Sequence, residues 1–204
     1  MNKEIISSAM SAIKTKSPGV KLQTRDYQIL QFILEQKFLS LEIIYFRFFD
    51  ERTDSSDALP NNFFTVRKRL AKLRSCALIK TEKVLSSGRA HYLITPFGLR
   101  TLMDWMDEDT NIKPARKIDF SLYEHDLRLS LIRAFSEKRG ICKRWYSEKW
   151  LRAGEVPLRD GGFRFTKDLF PDGVFISSRN ERVAVEFEMS RKGIRRVESK
   201  ISLY

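Results

Sequence analysis

The chain has 204 residues, and its 38 lysines and arginines outnumber its 26 aspartates and glutamates, for a formal net charge of +12. A charge of this sign favours a polyanionic partner such as nucleic acid; the alternative is a solvated basic surface without a partner. No apolar run reaches the roughly 20 residues of a membrane span, and the first residues lack the apolar core of a secretory signal. Cys76 and Cys142 lie far apart and match no metal-binding spacing. We therefore expect a cytoplasmic protein with reduced thiols and no membrane partner.

Two amphipathic helices are predicted in the first quarter of the chain. Residues 1–23 have weak periodicity and contain a Ser-Pro-Gly breaker, so we expect an N-terminal arm there. Thr24 is placed to cap a helix that ends near Gln36, and Ser40 is placed to cap a second helix. Apolar side chains recur at helical spacing after each cap, which predicts one buried face on each helix.

A third helix, predicted over residues 61–75, carries apolar residues on one face and cations on the other. Val66 and Leu70 belong to its inner stripe, so the helix can pack on a core while its outer face enters a DNA major groove. Two strands, at 79–85 and 89–94, are predicted to form a hairpin whose cations reach the phosphates beside that helix. The candidate DNA-binding residues are Thr65, Arg67, Lys68, Arg69, Lys72, Arg74, Lys83 and Arg89.

Three helices followed by a two-stranded wing are the elements of a winged helix-turn-helix domain, which we predict over residues 24–106. Pro96 opens its last helix. Double-stranded DNA is the expected partner, while a module that contacts only protein is the alternative. Residues 107–119 are acidic and then polar, which is typical of an interdomain linker. A second domain is then expected over residues 120–204, and the sequence leaves open whether the chain forms a homodimer.

In the second half, β-rich runs flank a polar turn at residues 177–180 and are predicted to pair as antiparallel strands. Their pairing would bring Asp172 and Glu186 to the same end of a sheet. Two carboxylates held together there form a site for a hard divalent cation, Mg²⁺ or Mn²⁺. The other elements expected in this half are a helix over 121–138 with Ser121 in a capping box, a strand over 141–146, a helical turn over 148–153 and a helix over 192–204.

The strings Pro171-Asp172-Gly173 and Val185-Glu186-Phe187-Glu188 resemble the motif of the PD-(D/E)XK nucleases. With the winged helix before them, the chain resembles, from about Thr24 to Tyr204, the replication-relaxation proteins and MobC-type plasmid relaxases. The fold implied is α+β: an N-terminal winged helix-turn-helix and a C-terminal restriction-endonuclease-like α/β domain. The last strand of that nuclease core has no counterpart before Tyr204, so we expect the domain to lack it; either the sequence is a piece of a longer chain, or the domain closes in some other way.

This resemblance implies metal-dependent nicking or relaxation of DNA at the replication or transfer origin of a plasmid or other mobile element. Asp172 and Glu186 would hold Mg²⁺ or Mn²⁺. Glu188 stands where the motif has a lysine, so the activating cation would come from Lys192 or Lys200. The candidate catalytic residues are Asp172, Glu186, Glu188, Lys192, Lys200 and His125, the last of which would orient water or metal.

A non-catalytic protein is the alternative hypothesis. Asp172 after a proline is also typical of a strand-start cap, His125 of a helix histidine with satisfied hydrogen bonds, and Glu188 of a salt-bridge partner. The missing motif lysine and the missing last strand both favour a winged-helix regulator or replication accessory factor with a degenerate nuclease-like domain.

Overall fold

The chain folds as a mixed α+β protein, as the sequence predicts. Its structure is a computed structural model that describes residues 20–50, 62–84, 88–107, 110–154 and 170–189. Within these ranges there are six helices and two three-stranded antiparallel sheets. None of the helices in the described part is long and apolar enough to span a membrane. Most of the N-terminal arm and the expected helix over 192–204 lie outside the described residues.

The first half contains four helices and the first sheet among its described residues. Its strand order is β1-β3-β2, with β1 pairing at the Leu39↔Tyr92 and Ser40↔His91 positions. The short strand β1 is the one element of this half that was not predicted from the sequence. The elements are α1 (Thr24–Gln36), β1 (Leu39–Ser40), α2 (Leu41–Phe48), α3 (Asn62–Ser75), β2 (Ile79–Lys83), β3 (Ala90–Ile94) and α4 (Pro96–Met106).

Local hydrogen bonds fix the starts of the first two helices. The Ser40 hydroxyl accepts a hydrogen bond from the Ile43 backbone N–H at 3.3 Å, which confirms Ser40 as the cap of α2. The prediction that Thr24 caps α1 is wrong by one residue. Gln23 is the N-cap, and its backbone N–H donates to Oδ2 of Asp26 at 2.7 Å.

The second half consists, in its described part, of two helices and the second sheet. The strand order is β4-β5-β6, and β5 pairs antiparallel with both neighbours. The expected Ser121 cap is wrong, because Leu122 is the N-cap and the Ser121 hydroxyl instead donates to Oδ1 of Asp119 at 2.7 Å. The elements are α5 (Tyr123–Lys138), β4 (Cys142–Ser147), α6 (Glu148–Ala153), β5 (Gly173–Ser177) and β6 (Arg182–Val185).

Helix α5 joins the two halves through buried polar contacts. Arg133 forms ion pairs with Glu35 of α1 and, at 2.7 Å, with Glu137 of its own helix. Glu137 also accepts from Nε of Arg47 on α2 at 2.7 Å. Buried charges are stable only when they are paired and hydrogen-bonded, so these contacts fix how α5 lies on α1 and α2.

The segment predicted as a linker packs against the core. Ile112 joins the apolar cluster of the first half, and Ile118 is buried with Phe38, Leu93 and Tyr123. The Ile118 backbone N–H also donates to the Glu82 carboxylate at 3.2 Å. Residues 110–118 therefore hold α5 close to the first sheet.

Candidate nucleic-acid interface and acidic site

Helix α3 has a buried aliphatic face and an exposed cationic face. Val66, Leu70 and Leu73 are each no more than 1% exposed, because they pack into the core of the first half. The opposite face is open to solvent and carries the predicted DNA-binding residues Thr65, Arg67, Lys68, Lys72 and Arg74. The helix thus presents four cations on a surface that the core holds rigidly.

Arg69 differs from the other predicted DNA-binding residues of α3. Its Nε donates to Oδ1 of Asp26 at 2.7 Å, a second guanidinium nitrogen pairs with Oδ2, and that nitrogen also reaches the Lys21 carbonyl at 3.1 Å. Asp26 is almost fully buried, and its hydrogen bond raises the pKa of Arg69 above its ordinary value. Arg69 therefore ties α3 to α1, and its guanidinium is engaged with Asp26 rather than facing solvent with the other cations of the helix.

The hairpin of β2 and β3 places its two predicted cations at its tip. Lys83 is opposite Ala90 in the last pair of the ladder, and Lys83 and Arg89 are both exposed. Arg89 lies 3.7 Å from the Glu42 carboxylate in an ion pair open to solvent. Such exposed pairs contribute little to stability, so Arg89 can exchange this partner for a phosphate. The turn at 85–87 lies outside the described residues.

Asp172 and Glu186 lie at the same end of the second sheet, as the strand pairing predicts. Gly173 pairs with Val185, so the two acidic residues are the next positions beyond this pair on their strands. Oδ2 of Asp172 accepts a hydrogen bond from the Phe187 backbone N–H at 2.7 Å. Burial raises the pKa of Asp172, and the negative charge of Glu186 raises it further, while the Phe187 N–H and His125 lower it.

Gly173 is required at this position because the Trp145 indole covers it. A Cβ atom on residue 173 would lie 2.7 Å from Cζ2 of Trp145, closer than real Cβ contacts. Trp145 in turn is buried and stacks on Phe175. The glycine of the Pro-Asp-Gly string thus lets β5 approach β4 and sets the position of Asp172.

His125 is brought to Asp172 from helix α5. Its Nε2 lies 3.2 Å from Oδ2 of Asp172, and its Nδ1 lies 3.5 Å from Oδ1 of Asp126. Asp126 is also held by the ammonium group of Lys37, at 2.8 and 2.9 Å. Neither Asp126 nor Lys37 was predicted from the sequence: Asp126 follows His125 directly, but no sequence signal links Lys37 to a residue 89 positions away.

Two lysines that were not predicted line a small cavity beside Asp172. Lys37, Lys149, Asp126 and the buried Ser147 border this space of about 20 Å³, which is enough for one water molecule. The Lys149 ammonium donates to the backbone carbonyls of Leu34 and Lys113, at 3.2 Å each. Burial and the nearby Lys37 charge lower the pKa of Lys149 to about 8.

The remaining predicted catalytic residues are Glu188, Lys192 and Lys200. Glu188 is exposed, two positions after Glu186. Lys192 and Lys200 lie outside the described residues. In the described ranges, no group of three or more His, Cys, Asp or Glu side chains is arranged to hold a metal ion. The carboxylates that remain as candidates for a cation there are the neighbouring pair Asp172 and Glu186.

Comparison with models of protein families, with curated proteins and with solved structures finds no match for this chain.

Proposed function

We propose that the chain binds double-stranded DNA through a winged helix-turn-helix formed by residues 24–106. The order of elements from α1 to β3, with three helices followed by a β2–β3 hairpin, supports this arrangement. In such a domain α3 enters the major groove and the hairpin lies against the backbone beside it.

The observation that carries the proposal is the two-faced character of α3. Its aliphatic stripe is buried, so the exposed cations on its other face cannot turn inward, and Lys83 and Arg89 add charge at the hairpin tip. Cations placed on a rigid convex element neutralise phosphates and release counterions, which gives binding that weakens with salt. The position of these cations is more informative than the net charge alone, because an exposed cationic helix fits the major groove of DNA.

Fluorescence anisotropy of a labelled duplex, measured over a series of salt concentrations, tests this proposal. The variant Lys68→Ala with Lys72→Ala should weaken binding by about 1–3 kcal/mol for each base-contacting side chain that is truncated. If the lysines bind phosphates instead, the salt slope should fall by about 1 for each phosphate that is no longer neutralised.

The matched control removes two exposed cations outside α3 and the hairpin, as Lys117→Ala with Arg128→Ala. It has the same net charge as the α3 variant, so a purely non-specific charge effect would weaken both equally. Equal weakening in the two variants, or full binding by the α3 variant, would remove α3 as the contact element.

A second candidate function, metal-dependent nicking of the bound DNA, is favoured by the position of Asp172 and Glu186 at the same end of the second sheet. These carboxylates would hold Mg²⁺ or Mn²⁺, and the phosphate and water oxygens of a substrate would complete the ligand set. When bound, such a cation would stabilise negative charge on the phosphate and lower the pKa of a water molecule. His125 would hold Asp172 in place, and Lys37 or Lys149 would supply the positive charge that position 188 lacks.

The origin of a plasmid or other mobile element is the substrate that the sequence resemblance suggests. Supercoiled plasmid incubated with Mn²⁺ should therefore be nicked by the wild type and not by Asp172→Asn or Glu186→Gln, which keep the side-chain shapes. Unchanged plasmid with all three proteins, together with intact duplex binding, would favour the non-catalytic regulator or replication accessory factor.

A further inference from the structure

Two phenylalanines follow one another at the start of α3, and their surroundings differ. Phe63 is half-buried and packs edge-on against Tyr45, with ring centroids 5.6 Å apart. Phe64 is 71% exposed, and none of the apolar clusters in the described part of the chain includes it. Single exposed apolar side chains are common, so the position of Phe64 has to decide whether its ring has a function.

Phe64 lies on the cationic face of α3. Phe64, Lys68 and Lys72 are spaced at i, i+4 and i+8, so they form one stripe along the helix, and all three are exposed. The buried stripe that contains Val66 and Leu70 lies on the other side of the helix. A groove that receives the two lysines therefore receives the Phe64 ring as well.

The ring also lies at the end of the helix that reads bases in helix-turn-helix domains. Helix α3 begins at Asn62, so Phe64 is in its first turn, and residues near the N-terminus of a recognition helix contact base edges. Those edges present hydrogen-bond donors and acceptors in the major groove and one apolar group, the C5-methyl of thymine. A phenyl ring against a donor or acceptor removes water without replacing its hydrogen bonds, whereas a ring against a methyl group buries apolar surface on both sides.

We propose that Phe64 makes α3 selective for a pyrimidine C5-methyl group in the major groove. This inference rests on the proposed DNA binding through α3, and it adds which chemical feature of the DNA is read at the first turn. Lys68 and Lys72 contribute charge, and Phe64 contributes a preference among sequences. The methyl group can come from thymine or from 5-methylcytosine, which carry it at the same ring position.

Replacing thymine with uracil isolates the contact, because uracil forms the same base pair and lacks only the methyl group. A duplex selected from a random library with the full chain is synthesised with thymine or uracil at each selected position, and affinities are measured by fluorescence anisotropy. We expect uracil at one or two positions to weaken binding about fourfold for each methyl group lost. Selection of a site without thymine, or equal affinity for all thymine and uracil duplexes, would overturn the inference.

Variants of Phe64 locate the contact. Phe64→Ala should bind the thymine duplex about as weakly as the wild type binds the uracil duplex, and it should no longer distinguish the two. Phe64→Leu keeps an apolar side chain and should retain part of the preference. Phe120→Ala is the matched control, because Phe120 is also an exposed ring but lies outside α3 and the hairpin, so the preference should stay unchanged. A Phe64→Ala variant that still prefers thymine would place the methyl contact elsewhere and overturn the assignment.

A methylation series distinguishes the two sources of the methyl group. The thymine–adenine pair that is sensitive to uracil is replaced by a cytosine–guanine pair, with and without a C5-methyl on the cytosine. Tighter binding of the methylated duplex would show that the methyl group is recognised on either base. No gain on methylation would identify thymine as the source.

The double variant Lys68→Ala with Lys72→Ala separates this inference from the proposed function. Full duplex binding by that variant would remove α3 as the contact element, and the Phe64 assignment with it. Weaker binding by the variant, with the thymine preference intact, would support both. Weaker binding by the variant, with equal wild-type affinities for thymine and uracil duplexes, would overturn the Phe64 assignment alone.

Discussion

The ammonium nitrogen of Lys37 lies 2.8 Å from Oδ1 and 2.9 Å from Oδ2 of Asp126, so a residue of the first half holds an acidic residue of the second. Asp126 is next to His125, which contacts Asp172. The acidic site is therefore assembled from both halves of the chain. Lys37 has a positive φ of 72°, and Phe38 directly after it is buried in the core, which anchors the loop that carries Lys37.

Removing Lys37 should destabilise the fold because it leaves a buried carboxylate without its cation. We expect Lys37→Met to lower the free energy of unfolding by about 1–3 kcal/mol, less than for a fully buried pair because Lys37 is partly exposed. Urea denaturation of the two single variants and of Lys37→Met with Asp126→Asn completes a double-mutant cycle. Strictly additive effects would show that the two side chains do not interact in solution.

Arg69 and Lys68 are neighbours on α3, but replacing them should affect different properties: stability for Arg69 and DNA binding for Lys68. Arg69→Ala removes the partner of buried Asp26 and should cost about 3 kcal/mol of stability. Lys68→Ala should leave the unfolding free energy within about 0.5 kcal/mol of the wild type, as is usual for exposed positions, and weaken only DNA binding. Chemical denaturation and duplex binding, measured on both variants, check this division of roles. A destabilised Lys68→Ala or an unchanged Arg69→Ala would contradict it.

Gly173→Ala should strain the contact between β5 and the Trp145 ring. An added methyl group in a filled core typically costs about 1–3 kcal/mol, and here the clash is with a rigid indole rather than with a flexible chain end. Thermal unfolding of Gly173→Ala, alone and with Trp145→Phe, measures the coupling. The smaller ring should recover part of the stability, whereas an equal decrease in both backgrounds would assign the cost to the backbone instead.

Lys149 should make stability rise with pH in the alkaline range. Its pKa is about 8 in the folded protein and has an ordinary value of 10.5. Between these values the unfolded chain binds the extra proton, so the free energy of unfolding increases as the pH rises, by up to about 3 kcal/mol in total. Below about pH 8 Lys149 is protonated in both the folded and the unfolded chain, so the full free-energy cost of burying its charge remains.

Comparison with Lys149→Met isolates this effect, because the other lysines and tyrosines titrate in both proteins. The wild type should gain stability relative to the variant between about pH 8 and pH 10, as measured by urea denaturation at each pH. A constant difference across that range would mean that the Lys149 amine keeps its ordinary proton affinity in the folded state.

The sequence by itself determined which residues form the main helices and strands. The apolar stripe of α3, the capping Ser40 and the two runs that flank the 177–180 turn are local patterns, and the structure confirms each of them. Because antiparallel pairing across a short turn fixes register, the sequence also predicted that Asp172 and Glu186 end up side by side. Periodicity identifies a buried face but not what covers it.

Only the tertiary structure decided which charged residues pair with one another. In the sequence, Arg69 cannot be distinguished from its cationic neighbours on α3. In the fold, α1 places Asp26 beside it, although Asp26 lies 43 positions earlier in the chain. In the same way, Lys37 reaches Asp126, and Lys149 reaches the carbonyls of Leu34 and Lys113, once α5 and α6 pack on the first half. Such pairs depend on how elements distant in sequence are brought together, because a charge is stabilised by whatever lies within a few ångströms of it and not by its position in the chain.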